Sequence, residues 1–246
     1  MNTHPVLRWF SAILIASLGF AIVSCREELL LPTSPGGDVA LLSEFPMAPG
    51  TTWVYTYTPY EPRPSDPTQI VTATYRMTET VVETETNPPF LFVRIQRETR
   101  LASATPLTGT TLPGDAFGYV ISGTQVYQEN RAVDPPAFDP DYSHLSYKFP
   151  LVDGKQWCPL QLDLKNPDDP TAVHCEANGL KTVTALDAYQ TPAGRFTECY
   201  EITEAYLSGG VTRWFCNGVG VVAAKYDHGG TRFGFEKTLL KYQAGE

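Results

Sequence analysis

The side chains with reactive chemistry in this sequence are five cysteines and four histidines. Cys158, Cys175, Cys199 and Cys216 lie at intervals of 17, 24 and 17. An even set of thiols in an exported chain pairs as disulfides. Three connectivities are open. The spacing favours Cys158–Cys175 with Cys199–Cys216, because each pair then spans 17 positions and brackets one turn, at 166–170 or 208–210. A four-cysteine zinc site and a redox-active pair are the rivals, and both lack a Cys-x-x-Cys pair. Beyond residue 24 the histidines are His144, His174 and His228. Any of them is a candidate base if a Ser or Asp comes within hydrogen-bonding reach. No Gly-x-Ser-x-Gly, His-Glu-x-x-His or phosphate-cradling glycine loop accompanies them. Asp139-Pro140-Asp141 and Asp168-Asp169 offer calcium-type oxygens, but they read first as solvated turns. Glu201, Glu204 and Arg213, on one expected hairpin, read as cross-strand surface charges.

The fifth cysteine stands apart. Cys25 closes an apolar run, Trp9–Ser24, that follows Arg8. The tetrapeptide Ile22-Val23-Ser24-Cys25 resembles the lipobox of bacterial lipoproteins. That resemblance implies cleavage before Cys25, acylation of its thiol and amine, and a lipid-tethered place in the cell envelope. Two acyl chains would hold firmly where one holds marginally. The run is short for a membrane span and fits a secretory leader. An uncleaved helix and a plain signal peptide are the competing readings. Arg26, with no Asp at that position, favours an outer membrane by analogy with diderm lipoproteins. The expected organisation is a leader at 1–24, the lipidated cysteine and a tether at 25–43, and a β domain at 44–246. Pro32, Pro35, Gly36 and Gly37 deny the tether regular structure.

Removing residues 1–24 takes away a single charge, Arg8, leaving 17 basic against 27 acidic side chains. With no Lys/Arg block, nucleic acid is excluded as a natural partner. The 13 Tyr and 12 Phe suit strands, and the 21 Pro and 19 Gly punctuate them.

The elements that must position these residues are strands. Phe45-Pro46 through Gly50 to Trp53 shares its offsets with Phe149-Pro150 through Gly154 to Trp157. The repeat suggests two related halves, 44–142 and 143–246, with strands opening at Trp53 and at Trp157 through Leu164. Thr68–Thr86 alternates strictly: Val71, Ala73, Tyr75, Met77 and Val81 face one way. After Asn87-Pro88-Pro89, Phe90–Leu101 alternates again, with Leu91, Val93 and Ile95 on one face. Phe117–Gln128 reads as a strand region kinked at Gly123. Five strands follow in a meander: 180–190, 196–207, 211–216, 219–227 and 231–242. Asn217-Gly218 signals a two-residue hairpin. The fold class is all-β, an antiparallel meander forming a curved sheet, open barrel or sandwich, with very little helix beyond the leader.

Thr191-Pro192-Ala193-Gly194-Arg195-Phe196 with Cys199, then Trp214 through Val222, resembles uncharacterised bacterial secreted β proteins and lipoproteins. Their pattern is Ala-Gly-x-Phe followed by an aromatic, Gly-Val-Gly-apolar strand. The resemblance implies curved sheets like those of lipoprotein carriers and brings no cofactor or activity. Two functional readings follow. One is a non-catalytic binding or scaffold module whose concave aromatic face holds an apolar ligand or an envelope partner. The other is an envelope hydrolase built around His144, His174 or His228.

Overall fold

A computed structural model describes residues 44–103, 106–107, 112–129, 138–140, 143–160, 163–166, 169–175, 179–206 and 208–246, with 163–166 and 169–174 as backbone alone. The leader, Cys25, the tether, Asp141 and Asp168 lie outside the described residues.

The strands are β1 (Thr52–Arg63), β2 (Asp66–Thr72), β3 (Tyr75–Asn87), β4 (Phe90–Leu101), β5 (Ala116–Ser122), β6 (Gln125–Glu129), β7 (His144–Lys148), β8 (Gln156–Trp157), β9 (Asp163–Asn166), β10 (Asp169–Cys175), β11 (Leu180–Thr191), β12 (Gly194–Tyr206), β13 (Gly209–Cys216), β14 (Gly220–His228) and β15 (Gly234–Gln243). Twelve of them run antiparallel in the order β7-β6-β5-β4-β3-β1-β15-β14-β13-β12-β11-β8, with β2 paired to the outer part of β1. The sheet nearly closes into a barrel with one seam, between β7 and β8. That seam is stitched by the Leu145 N–H donating to Pro159 O at 2.6 Å. The Trp157 indole N–H adds a bond to Leu145 O at 3.3 Å. Near-closure shields most of the edge that an open sheet of this length would carry.

Alternation along each strand explains which face closes inward. On β4 the side chains of Arg94, Gln96, Glu98 and Arg100 face out, while Val93 and Ile95 are buried. Inside, Phe45, Tyr55, Tyr127, Tyr147, Trp157 and Phe215 are among the largest fully buried side chains. Burying each such aromatic contributes roughly 1.5–3 kcal/mol. Phe45 arrives from outside the sheet. Its ring inserts between Phe215, Tyr119, Tyr147 and Phe149, with centroids 5.1–6.1 Å away. The backbone fixes it there, since Gly218 N–H donates to Glu44 O at 3.0 Å.

The alternating run 68–86 is two strands rather than one. β2 ends at Thr72 and β3 begins at Tyr75, both against β1. The break falls opposite Pro59 of β1, which has no N–H to give the ladder. Gly123, at φ 54°, turns the chain fully, so β5 and β6 form a hairpin rather than a kinked strand. The strand expected over 157–164 stops after Trp157, before Pro159, and β9 pairs separately with β10. The turn after Cys216 holds three residues, because Cys216 pairs with Gly220, and Gly218 takes φ 72°. The five-strand meander stands within a few residues of its expected bounds at each strand. In the two Phe-Pro…Gly-x-x-Trp segments the glycines Gly50 and Gly154 both take positive φ, 86° and 74°.

Both disulfides pair as the spacing favoured: Cys158–Cys175 and Cys199–Cys216. The first ties the β9–β10 hairpin to the end of β8. The second joins directly opposed residues of β12 and β13.

Candidate functional site

Charged side chains point into this barrel. Glu79 on β3, 4% exposed, sits opposite Arg97 on β4. Its Oε1 accepts from Arg97 Nε at 2.9 Å and its Oε2 from Lys237 Nζ of β15 at 2.9 Å. Both cations also lie against rings: Arg97 is 4.4 Å from the Phe117 centroid and Lys237 3.8 Å from that of Tyr55. Burial pushes the Glu79 carboxyl up, but Lys237 and Arg97 outweigh it and hold it below the usual carboxylate range. Burial lowers Lys237 against the pull of Glu79.

A second cluster occupies the seam side. Glu204 on β12 has a fully buried side chain. It accepts from His144 Nε2 at 2.9 Å and Arg213 Nη1 at 3.0 Å, and lies 3.4 Å from Lys181 Nζ. The Lys181 ammonium, also fully buried, donates to Ser146 O of β7 at 3.2 Å, so this ion cluster bridges the seam. Burial and then the Arg213 charge push Lys181 down to about 7 despite Glu204. Burial raises the Glu204 carboxyl, and the His144 hydrogen bond with the Lys181 and Arg213 charges more than reverses it. Buried ions of this kind cost desolvation that pairing only partly offsets, so they are weak stabilisers.

Glu79, Arg97, Lys237 and Arg213 line one chamber of about 150 Å³, with Tyr55, Tyr119 and Tyr147 around them. At the end of the barrel away from Phe45 lies a wider cleft of about 810 Å³. Tyr57, Tyr60, Leu112, Tyr226, Phe233 and Phe235 give it an apolar wall. Tyr57, Pro113 and Phe235 line both spaces, so they adjoin. The cleft's rim is braced by the Tyr60 hydroxyl, which reaches Tyr226 O at 3.1 Å and the Asp227 carboxylate.

The structure redistributes the candidate residues. Glu204 and Arg213 are not surface charges. Lys181 lies directly across the β11–β12 ladder from Glu204 and turns the pair into a buried cluster. Glu201 does act across strands, accepting from the Trp214 indole at 3.1 Å. His144 meets Ser146 Oγ at 3.3 Å as well as Glu204. His228 hydrogen-bonds Thr231 at 2.7 Å and stacks on Phe233, centroids 4.3 Å apart. His174 is placed on β10 by backbone alone. The thiols of Cys158, Cys175, Cys199 and Cys216 are spent in disulfides, which leaves none of them for zinc. Sequence reasoning missed the chamber, although a signal was present. Glu79 falls in the inward phase between Met77 and Val81, and Arg97 follows Val93 and Ile95 in theirs.

Three solved structures align with this chain. A protein of Bacteroides fragilis with a YmcC-like fold, provisionally described as exported, aligns over 81% of this chain and 98% of its own, at 14% identity and a TM-score of 0.42. A Parabacteroides distasonis protein, provisionally described as a lipoprotein, aligns over 81% and 97%, at 15% identity and a TM-score of 0.38. MucB aligns over 87% of this chain and 60% of its own, at 7% identity and a TM-score of 0.29. No protein-family model and no curated protein matches the sequence.

Proposed function

We propose that this chain is an exported envelope protein, anchored by acylated Cys25, whose barrel binds an apolar ligand without catalysis. The cleft carries the reading. Its volume of about 810 Å³ lies within the roughly 300–1,000 Å³ of small-molecule sites. Two disulfides support an oxidising compartment. The apolar leader ending in Cys25 supports a membrane anchor, on the outer membrane in a diderm cell. An acidic chain without a basic block leaves nucleic acid out as a partner.

The test uses the intact protein extracted from membranes in non-ionic detergent. An uncharged long-chain alcohol carrying a diazirine should label peptides containing Tyr60 or Phe233 on irradiation. Label found only elsewhere overturns the binding reading in favour of a scaffold that holds no small ligand. Mass spectrometry of the same sample should find diacylglyceryl Cys25 at the N-terminus, and an intact Met1 would overturn the anchor.

The rival hydrolase reading draws on His144, whose Nδ1 lies 3.3 Å from Ser146 Oγ and whose Nε2 lies 2.9 Å from Glu204 Oε1. A nucleophile must meet its substrate, yet Ser146 is 2% exposed. A fluorophosphonate probe should leave Ser146 unlabelled.

A further inference from the structure

The two adjoining spaces differ in polarity. The outer cleft has an apolar wall, and Asp227 at its rim is paired with Lys225 at 3.1 Å. Inward, three cations that line the chamber, Arg97, Lys237 and Arg213, stand against two carboxylates, Glu79 and Glu204. The barrel interior therefore carries an uncompensated positive charge behind an apolar passage. Burying such a surplus is costly unless something pairs with it.

Arg213 shows where the surplus is available. A guanidinium has five N–H donors, and Glu204 is its one hydrogen-bond partner among the described residues. Its side chain keeps 20% of its surface open and lines the chamber. Lys237 and Arg97 share that chamber, each with part of its surface open as well. The volumes divide in the same way. About 150 Å³ holds a head group but no long chain, and about 810 Å³ holds a chain.

Building on the binding reading above, we infer that the ligand is a single-chain anionic amphiphile of the fatty-carboxylate class. Its carboxylate sits in the chamber against Arg213, with Lys237 and Arg97 beside it, and its hydrocarbon chain runs out through the cleft past Tyr57 and Phe235. Charge-assisted hydrogen bonds of this type are the stronger ones.

The experiment pairs the diazirine alcohol with the fatty acid of the same chain length and diazirine position, both applied to the intact protein in non-ionic detergent at pH 8. The carboxylate should label the Tyr60 and Phe233 peptides at concentrations about tenfold lower than the alcohol, or less. Arg213→Met should reduce that preference, read as the ratio of carboxylate to alcohol labelling within the same variant. Equal labelling of the wild type by both probes overturns the anionic head and leaves the apolar cleft standing. Failure of both to reach those peptides overturns the cleft as well. The wild-type comparison needs no variant, so misfolding of Arg213→Met cannot decide the outcome.

Discussion

Glu204 Oε2 lies 3.0 Å from Arg213 Nη1, inside the barrel wall. The same carboxylate serves His144 and Lys181 across the seam. Replacing it leaves the Arg213 guanidinium with no counter-charge. Glu204→Gln should therefore lower unfolding stability by about 3–5 kcal/mol, the usual cost of breaking a buried pair from one side. Urea denaturation of the variant against the wild type measures this. A loss under about 1 kcal/mol would show the seam to be held by backbone and packing alone.

The lysine of that cluster makes stability depend on pH. Lys181 falls from the ordinary 10.5 to about 7 in the fold. Between those values the unfolded chain binds more protons than the native one, so stability rises with pH across the window. Below pH 7 the cost of the buried charge is fully present. The urea midpoint should rise from pH 7 to pH 9, and Lys181→Met should flatten that rise. The acid side follows the carboxylates. Glu79 and Glu204 are held below 4.5, so their contribution is present above that value and is lost as pH falls through their folded values.

The two disulfides close loops of equal length, and chain entropy alone assigns each about 3 kcal/mol. Their positions separate them. Cys199 and Cys216 belong to the central core, so the double serine variant should lose about 3 kcal/mol of global stability in urea. Cys158–Cys175 ties on a two-stranded hairpin outside the main sheet. Its removal should speed amide exchange in β9 and β10 while the main transition moves less.

Gly234 sits where β15 begins, at the cleft. A β-carbon there would collide with Tyr226 O and the Tyr60 hydroxyl. Gly234→Ala should cost about 1–3 kcal/mol through overpacking, read as a lower thermal midpoint. It should also displace Tyr60 from Tyr226 O and weaken labelling of the cleft. A midpoint equal to wild type would mean that the rim yields freely.

Much of the fold was legible because it is written in period two. β3, β4 and the meander β11–β15 follow from apolar alternation and from Gly and Pro at the turns. Closure was not legible, since β7 and β8 are short and their pairing rests on single bonds such as Leu145 to Pro159. The break between β2 and β3 falls opposite Pro59 on a different strand, a pairing that alternation along 68–86 does not reveal. The site was harder still. Glu79, Arg97, Lys181 and Lys237 stand in inward phase among apolar neighbours, and alternation read as a yes-or-no pattern passes over them as noise. Their partners come from other strands, so only the assembled barrel shows that these basic side chains share two carboxylates.

Phe45 enters the barrel beside Gly218, while Tyr60, Tyr226 and Phe233 frame the opposite end. A pull on the chain that precedes Phe45 therefore bears on an aromatic stopper at the centre of the packing. Peeling a strand from an edge breaks its bonds one by one; drawing out this stopper requires many contacts to yield together. Tension applied to the chain before Phe45 would be resisted by the core itself, without a strand first unzipping.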